Sequence, residues 1–132
     1  MKKRIKGIHH ASLKCCNAEE FERTVRFYRD VLGLEVRRTW GEGSQAGAML
    51  DTGSGLMEIF ANGQEKLPQG AIRHIAFATD SVDECIAAVK SAGYPVLVEP
   101  KDIVIASDPP YPARIAFCTG PVGEEIELFQ EL

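Results

Sequence analysis

The run Ile72-Arg73-His74-Ile75-Ala76-Phe77 decides the reading of this chain, because Ile8-His9-His10-Ala11-Ser12-Leu13 echoes it. Laying one run on the other places His74 on His10. The same offset carries Asn17-x-x-Glu20 onto Ser81-x-x-Glu84, each an N-cap residue with an acidic residue at N3. Each half then closes on a short apolar run with a glutamate inside it, Met57-Glu58-Ile59-Phe60 and Ile126-Glu127-Leu128-Phe129. The chain therefore reads as one unit written twice, with one His and one Glu in each copy.

Working outward, residues 5–14 alternate and predict a strand with Ile8, His10, Ser12 and Lys14 on one face, and His9 turned away from His10. Asn17 opens a helix expected to reach about Leu32, with Phe21, Val25, Tyr28 and Leu32 as its apolar stripe and Gly33 as its left-handed stop. Strands are predicted over 34–40, 46–50 and 56–61, separated by the turn regions 41–44 and 51–55. The polar segment 62–70 joins the copies. The second copy begins with a strand over 71–78 and a helix from Ser81 through Ala92, shorter than its counterpart by about a turn. Its inward residues are Val82, Cys85 or Ile86, and Val89, and Gly93 stops it. A strand near 95–98 precedes a segment with Pro100, Pro109, Pro110 and Pro112, read as a further strand around Ile103-Val104-Ile105 and then a rigid loop. Strands over 113–118 and 125–129 end the chain. Both halves read β-α-β-β-β, an α+β protein with a first module at about 5–62 and a second at about 70–132.

Composition narrows the function classes. The chain has 132 residues, 45% of them hydrophobic, which suffices for a core and excludes a disordered chain. A formal net charge of −4 gives no basic nucleic-acid footprint. The basic start Met1-Lys2-Lys3-Arg4 is followed by no apolar run of signal-peptide type, and no stretch is apolar enough for a membrane span. The 4 cysteines, Cys15, Cys16, Cys85 and Cys118, form no C-x-x-C pair, so a reduced, cytoplasmic protein is expected.

Two imidazoles and two carboxylates in matching places suit a divalent ion of the Ni, Co, Zn or Mn type, and four such ligands leave an octahedral ion two places for water or substrate oxygens. An open ion of this kind polarises a carbonyl and holds the charge of an enediolate. The competing reading makes each His a hydrogen-bonded core or rim residue and each Glu a solvent-facing edge residue. Recurrence favours the metal, since duplication explains why the positions match but not why an apolar strand holds a Glu in both copies. A carboxylate buried there without a partner would cost several kcal/mol.

The duplicated pattern, the opening Ile8-His9-His10, the helix end Phe27-Tyr28-Arg29-Asp30-Val31-Leu32-Gly33-Leu34 and the strand Glu127-Leu128-Phe129 resemble the vicinal oxygen chelate superfamily, the group of glyoxalase I, bleomycin-resistance proteins and extradiol dioxygenases. The resemblance covers nearly the whole chain. It implies paired modules whose mixed sheets curl into an open cup, with His10, Glu58, His74 and Glu127 as metal ligands and, as in many short members, sites at the subunit interface of a homodimer. The full His/Glu/His/Glu set is similar to the bacterial glyoxalase I branch. That similarity implies a lyase or isomerase acting on the hemithioacetal of a 2-oxoaldehyde, with glutathione or another thiol as co-substrate. Glu127, or Glu58, would be the base. Asn62 would touch glutathione, and Lys14 would stand where the family keeps an Arg for the glutathione carboxylate; Lys lacks the bidentate fork of Arg. The turn Gly120-Pro121-Val122-Gly123-Glu124 also departs from the family's usual Asp-Pro-Asp-Gly.

Two rival functions stand beside this one: a methylmalonyl-CoA epimerase-like C–H epimerase, whose relatives commonly carry Gln where Glu58 stands, and a non-catalytic drug-binding or resistance protein. Phe60, Phe129 and Trp40 would line a pocket in the second case, although core packing is the simpler expectation for Trp40. Arg37-Arg38 reads as a solvated strand edge, with contact to an anionic substrate tail as its alternative. The Glu19-Glu20 pair favours its helix N-terminus, and Cys118 is expected in the core.

Overall fold

The computed structural model describes residue 4 and residues 6–132. The basic start at 1–3 and the first position of the predicted 5–14 strand lie outside the described residues. In order, the elements are β1 (His10–Lys14), α1 (Ala18–Arg26), β2 (Glu35–Trp40), β3 (Gly47–Asp51), β4 (Leu56–Phe60), β5 (His74–Ala78), α2 (Val82–Ser91), β6 (Val96–Ile105), β7 (Tyr111–Thr119) and β8 (Glu125–Glu131). They form two four-stranded sheets, β1-β4-β3-β2 and β5-β8-β7-β6. The first strand of each runs parallel to the last, and the remaining pairs are antiparallel. Each half is thus a βαβββ unit. Two compact units result: one runs to Leu67 without Asp30–Leu32, and the other takes Asp30–Leu32 with Pro68–Leu132.

In the first unit, Asn17 caps α1 by accepting the Glu20 N–H at 2.8 Å. Phe21, Val25 and Tyr28 are buried, as are Leu50, Met57 and Ile59 on the sheet. Each such side chain contributes about 1.5–3 kcal/mol of hydrophobic free energy when removed from water. The predicted stripe omits Phe27, which is equally buried. The reason is a π-turn over Phe27–Val31, whose wider circuit directs the successive residues Phe27 and Tyr28 inward. It closes with the Leu34 N–H bonded to the Tyr28 carbonyl at 2.9 Å, across Gly33 at φ 78°.

Glu20 does more than favour the helix dipole. Its carboxylate is buried, accepts the Cys16 N–H at 3.0 Å and meets the Lys66 ammonium at 2.9 Å. Burial pushes this carboxyl up, but the Lys66 and Cys16 hydrogen bonds outweigh it and hold it below its ordinary value. A depressed carboxylate stabilises the fold above its unfolded pKa, and that stabilisation disappears as pH falls through the folded value. The stability difference between wild type and Glu20→Gln should therefore be constant above about pH 5 and shrink in more acidic solution, as read by urea unfolding at a series of pH values.

In the second unit, Ser81 caps α2 by accepting the Glu84 N–H at 3.2 Å. Val82, Ile86 and Val89 are buried, as are Ala116, Cys118, Ile126 and Leu128 on the sheet; Ile86 rather than Cys85 takes the inward place. Arg114 on β7 donates to Asp83 on α2 at 2.7 Å and to Asp102 on β6 at 3.0 Å.

Several expected boundaries move. The strands expected from 5 and from 71 begin only at His10 and His74, leaving Ile8 and Ile72 exposed outside them. The proline segment is more regular than expected: β6 runs through Pro100 to Ile105, and β7 starts at Tyr111 and includes Pro112. Pro100 is accommodated because β6 is an edge strand whose register shifts between Val98 and Lys101, where a missing N–H disrupts no ladder.

Candidate metal centre

Period-two alternation gives each sheet a face buried under its helix and an open face. On β4, Met57 and Ile59 are buried, so Leu56, Glu58 and Phe60 occupy the open face. In the parallel β1–β4 pair, His10 lies opposite Leu56 and Ser12 opposite Glu58. His10 therefore meets Glu58 one diagonal step away, with Nε2 3.4 Å from Oε1. The β5–β8 pair repeats the step: His74 lies opposite Glu125, Ala76 opposite Glu127, and His74 Nε2 is 3.2 Å from Glu127 Oε1. Relative side-chain exposures match as well, 38% and 14% in the first pair and 40% and 13% in the second. Each carboxylate is thus shielded from bulk water but paired with an imidazole that solvent and small solutes can reach.

This answers the question of the unpaired carboxylates, since each has a partner within its own unit. It also gives a donor set with the right chemistry. An imidazole nitrogen and a carboxylate oxygen lie side by side on two rigid strands, so little reorganisation is needed for both to ligate one divalent ion. Each unit offers two such donors. Among the described residues, no group of three or more His, Cys, Asp or Glu side chains is arranged to hold a metal ion.

Around these pairs each open face carries aromatic rings. In the second unit Phe117, opposite Glu127, meets the His74 ring edge-on at a centroid distance of 5.4 Å. Tyr111 and Phe129 lie 5.8 Å apart, and the Tyr111 hydroxyl bonds to Glu131, which holds that phenol above its ordinary pKa. In the first unit Trp40 meets Phe60 at 5.9 Å. Trp40 is thus no core residue: the register sets it opposite Gly47, on the open face of the edge strand β2. Neither Trp40 nor Phe117 could be assigned to the open face before the antiparallel register was known.

Lys14, the last residue of β1, is exposed on the same face as His10 and lies opposite Phe60. Asn62 lies beyond the end of β4 and is exposed, so the period-two face that carries Glu58 and Phe60 stops short of it. His9 corrects an expectation. It precedes the strand, where alternation does not apply, and its Nδ1 lies 2.9 Å from His10 Nδ1 instead of facing away. The register of β2 shifts between Val36 and Arg38, with Arg37 the extra residue; Arg37 pairs with Asp51, and Arg38 Nη1 sits 3.1 Å from Met49 Sδ. The Gly53 N–H and Arg37 hold the Asp51 carboxyl below its ordinary value. Cys118 is buried, and burial pushes its thiol up to about 11, the reverse of an activated nucleophile.

No helix among the described residues is long and apolar enough to cross a membrane. No curated protein matches the chain. Solved structures share its fold. The trypanothione-dependent glyoxalase I of Leishmania major is 21% identical, with 96% of this chain and 88% of that one covered at a TM-score of 0.70. TnmS3, an antibiotic binding protein from Streptomyces sp. CB03234, is 19% identical, with 99% and 100% covered at 0.73. A glyoxalase family protein from Enterococcus faecalis is 26% identical, with 94% and 97% covered at 0.67. The sequence profile of one family matches residues 7–128, and on that match the chain belongs to the glyoxalase/bleomycin resistance protein/dioxygenase superfamily.

Proposed function

We propose that this protein is a metal-dependent lyase or isomerase of the glyoxalase I kind, acting on the hemithioacetal formed by a 2-oxoaldehyde and a thiol. The observation that carries the reading is the recurrence of one His–Glu pair at one diagonal step in both sheets. An isolated His–Glu contact is an ordinary ion pair. Two of them, at equivalent places in two copies and each half-open to small solutes, offer the ligand set His10, Glu58, His74 and Glu127. A bound divalent ion would supply Lewis-acid polarisation of the substrate oxygens.

The chain's own groups do the rest. Glu127, or Glu58 in its place, takes the proton from the carbon bearing sulfur and returns it to the neighbouring carbonyl carbon, while the hydroxyl proton crosses between the two oxygens. No atom is gained or lost, and the product is a 2-hydroxyacyl thioester. Phe117, edge-on against the His74 ring and opposite Glu127, holds that imidazole in place beside the carboxylate. Lys14 and Asn62 are the proposed contacts for the thiol, glutathione or another. Two copies associate, so that each complete site takes one His–Glu pair from each chain.

Metal analysis tests the ligand set. Wild-type protein should hold a stoichiometric divalent ion, and His74→Ala should lose it, with affinity falling by at least about 100-fold. Full retention by that variant would remove His74 from the set. Methylglyoxal assayed with glutathione and then with other thiols tests the reaction; absence of turnover with every thiol would remove the activity. The second reading, a non-catalytic small-molecule binder, is favoured by the exposed indole of Trp40 and would then stand in its place.

A further inference from the structure

The open face of the first sheet carries an aromatic arrangement that the proposed reaction does not use. One row across the strands reads Lys14, Phe60, Gly47, Trp40 in register, and the next reads Ser12, Glu58, Met49, Arg38. Trp40 lies over Gly47 so closely that a Cβ at position 47 would stand 2.2–2.4 Å from three atoms of the indole. Only glycine admits the ring there. Phe60 braces it edge-on at 5.9 Å, and the residue remains 36% exposed. The ring is therefore fixed on one side by backbone and at its edge by Phe60, with surface left to solvent. Arg38, two residues earlier on the same strand, puts positive charge on the same face one row away, and Lys14 lies on that face at the far end of the row, three strands from Trp40.

We propose that Trp40, seated on Gly47 and braced by Phe60, is a stacking platform for a planar aromatic group bearing an anionic substituent, one row from Glu58 and two rows from His10. A preordered ring loses little freedom when a second ring stacks on it, and the Arg38 guanidinium on the same strand favours an anion over a neutral arene. The inference deepens the functional reading by naming the substrate's side group. It rests on that reading only for where the reacting carbons would lie.

An aromatic side chain over a cross-strand glycine also stabilises the strand pair, so the test reads ligand discrimination and not stability. Calorimetric titration of metal-free protein with naphthalene-2-carboxylate, and with its saturated counterpart decahydronaphthalene-2-carboxylate, compares equal charge with and without a planar ring. The aromatic acid should bind about tenfold more tightly. Trp40→Leu should abolish that preference, and Trp40→Phe should keep most of it. Gly47→Ala, which displaces the indole while leaving it in the chain, should lower the preference as Trp40→Leu does. Equal affinity for the two acids, binding of neither, binding only after metal is added, or a preference that survives Trp40→Leu would each overturn the platform. Because the titration needs no metal, its failure leaves the ligand assignment standing, and loss of the ligand assignment leaves the platform standing.

Discussion

Glu127→Gln is expected to lower turnover of the hemithioacetal by about 10²–10⁴-fold, the usual contribution of a positioned acid–base group. Gln keeps the volume that fits beside His74 and the packing of Ile126 and Leu128 on the reverse of β8, both of which are buried. It removes the charge and the capacity to take a proton from carbon. Metal content measured on the same samples separates loss of a base from loss of a ligand. Glu58→Gln, made in parallel, assigns the role. If Glu127→Gln retains turnover within about twofold while Glu58→Gln does not, the base is Glu58. If both retain it, proton transfer by these carboxylates is wrong.

Mixing two inactive variants should restore a site. In a homodimer whose sites each join the His10–Glu58 pair of one chain to the His74–Glu127 pair of its partner, His10→Ala and His74→Ala each break both sites. The mixed dimer has one site with both defects and one with neither. Purified through two different affinity tags, it should bind one metal ion per dimer and recover about half of the wild-type turnover per dimer. A mixed dimer that recovers neither would place complete sites within single chains. A protein that remains monomeric in light scattering at the assay concentration would remove the interfacial arrangement altogether.

The duplication was legible because both periodicities survive in each copy. The N-cap signals at Asn17 and Ser81, the stop at Gly33 and the alternation around Glu58 and Glu127 all reflect local physics, so their elements formed where expected. The misjudged places depend on context. Alternation alone predicts a strand back to residue 5, yet the β1–β4 register begins only at His10 and Ile8 lies before it. The strands expected near 95–98 and around Ile103-Val104-Ile105 are one continuous β6 through Pro100, because an edge strand tolerates a residue without an N–H. Phe27 escaped the helical stripe because a π-turn changes the period within the helix itself.

What the sequence determined alone was the repeated unit, the polarity of each face and the four residues worth testing, since these follow from spacing along one chain. Tertiary structure decided which strands are neighbours and in what register. It set His10 one diagonal step from Glu58 and His74 one step from Glu127, drew His9 against His10, and laid Trp40 over Gly47. Register is a property of two strands at once, and side-chain spacing along either one does not contain it.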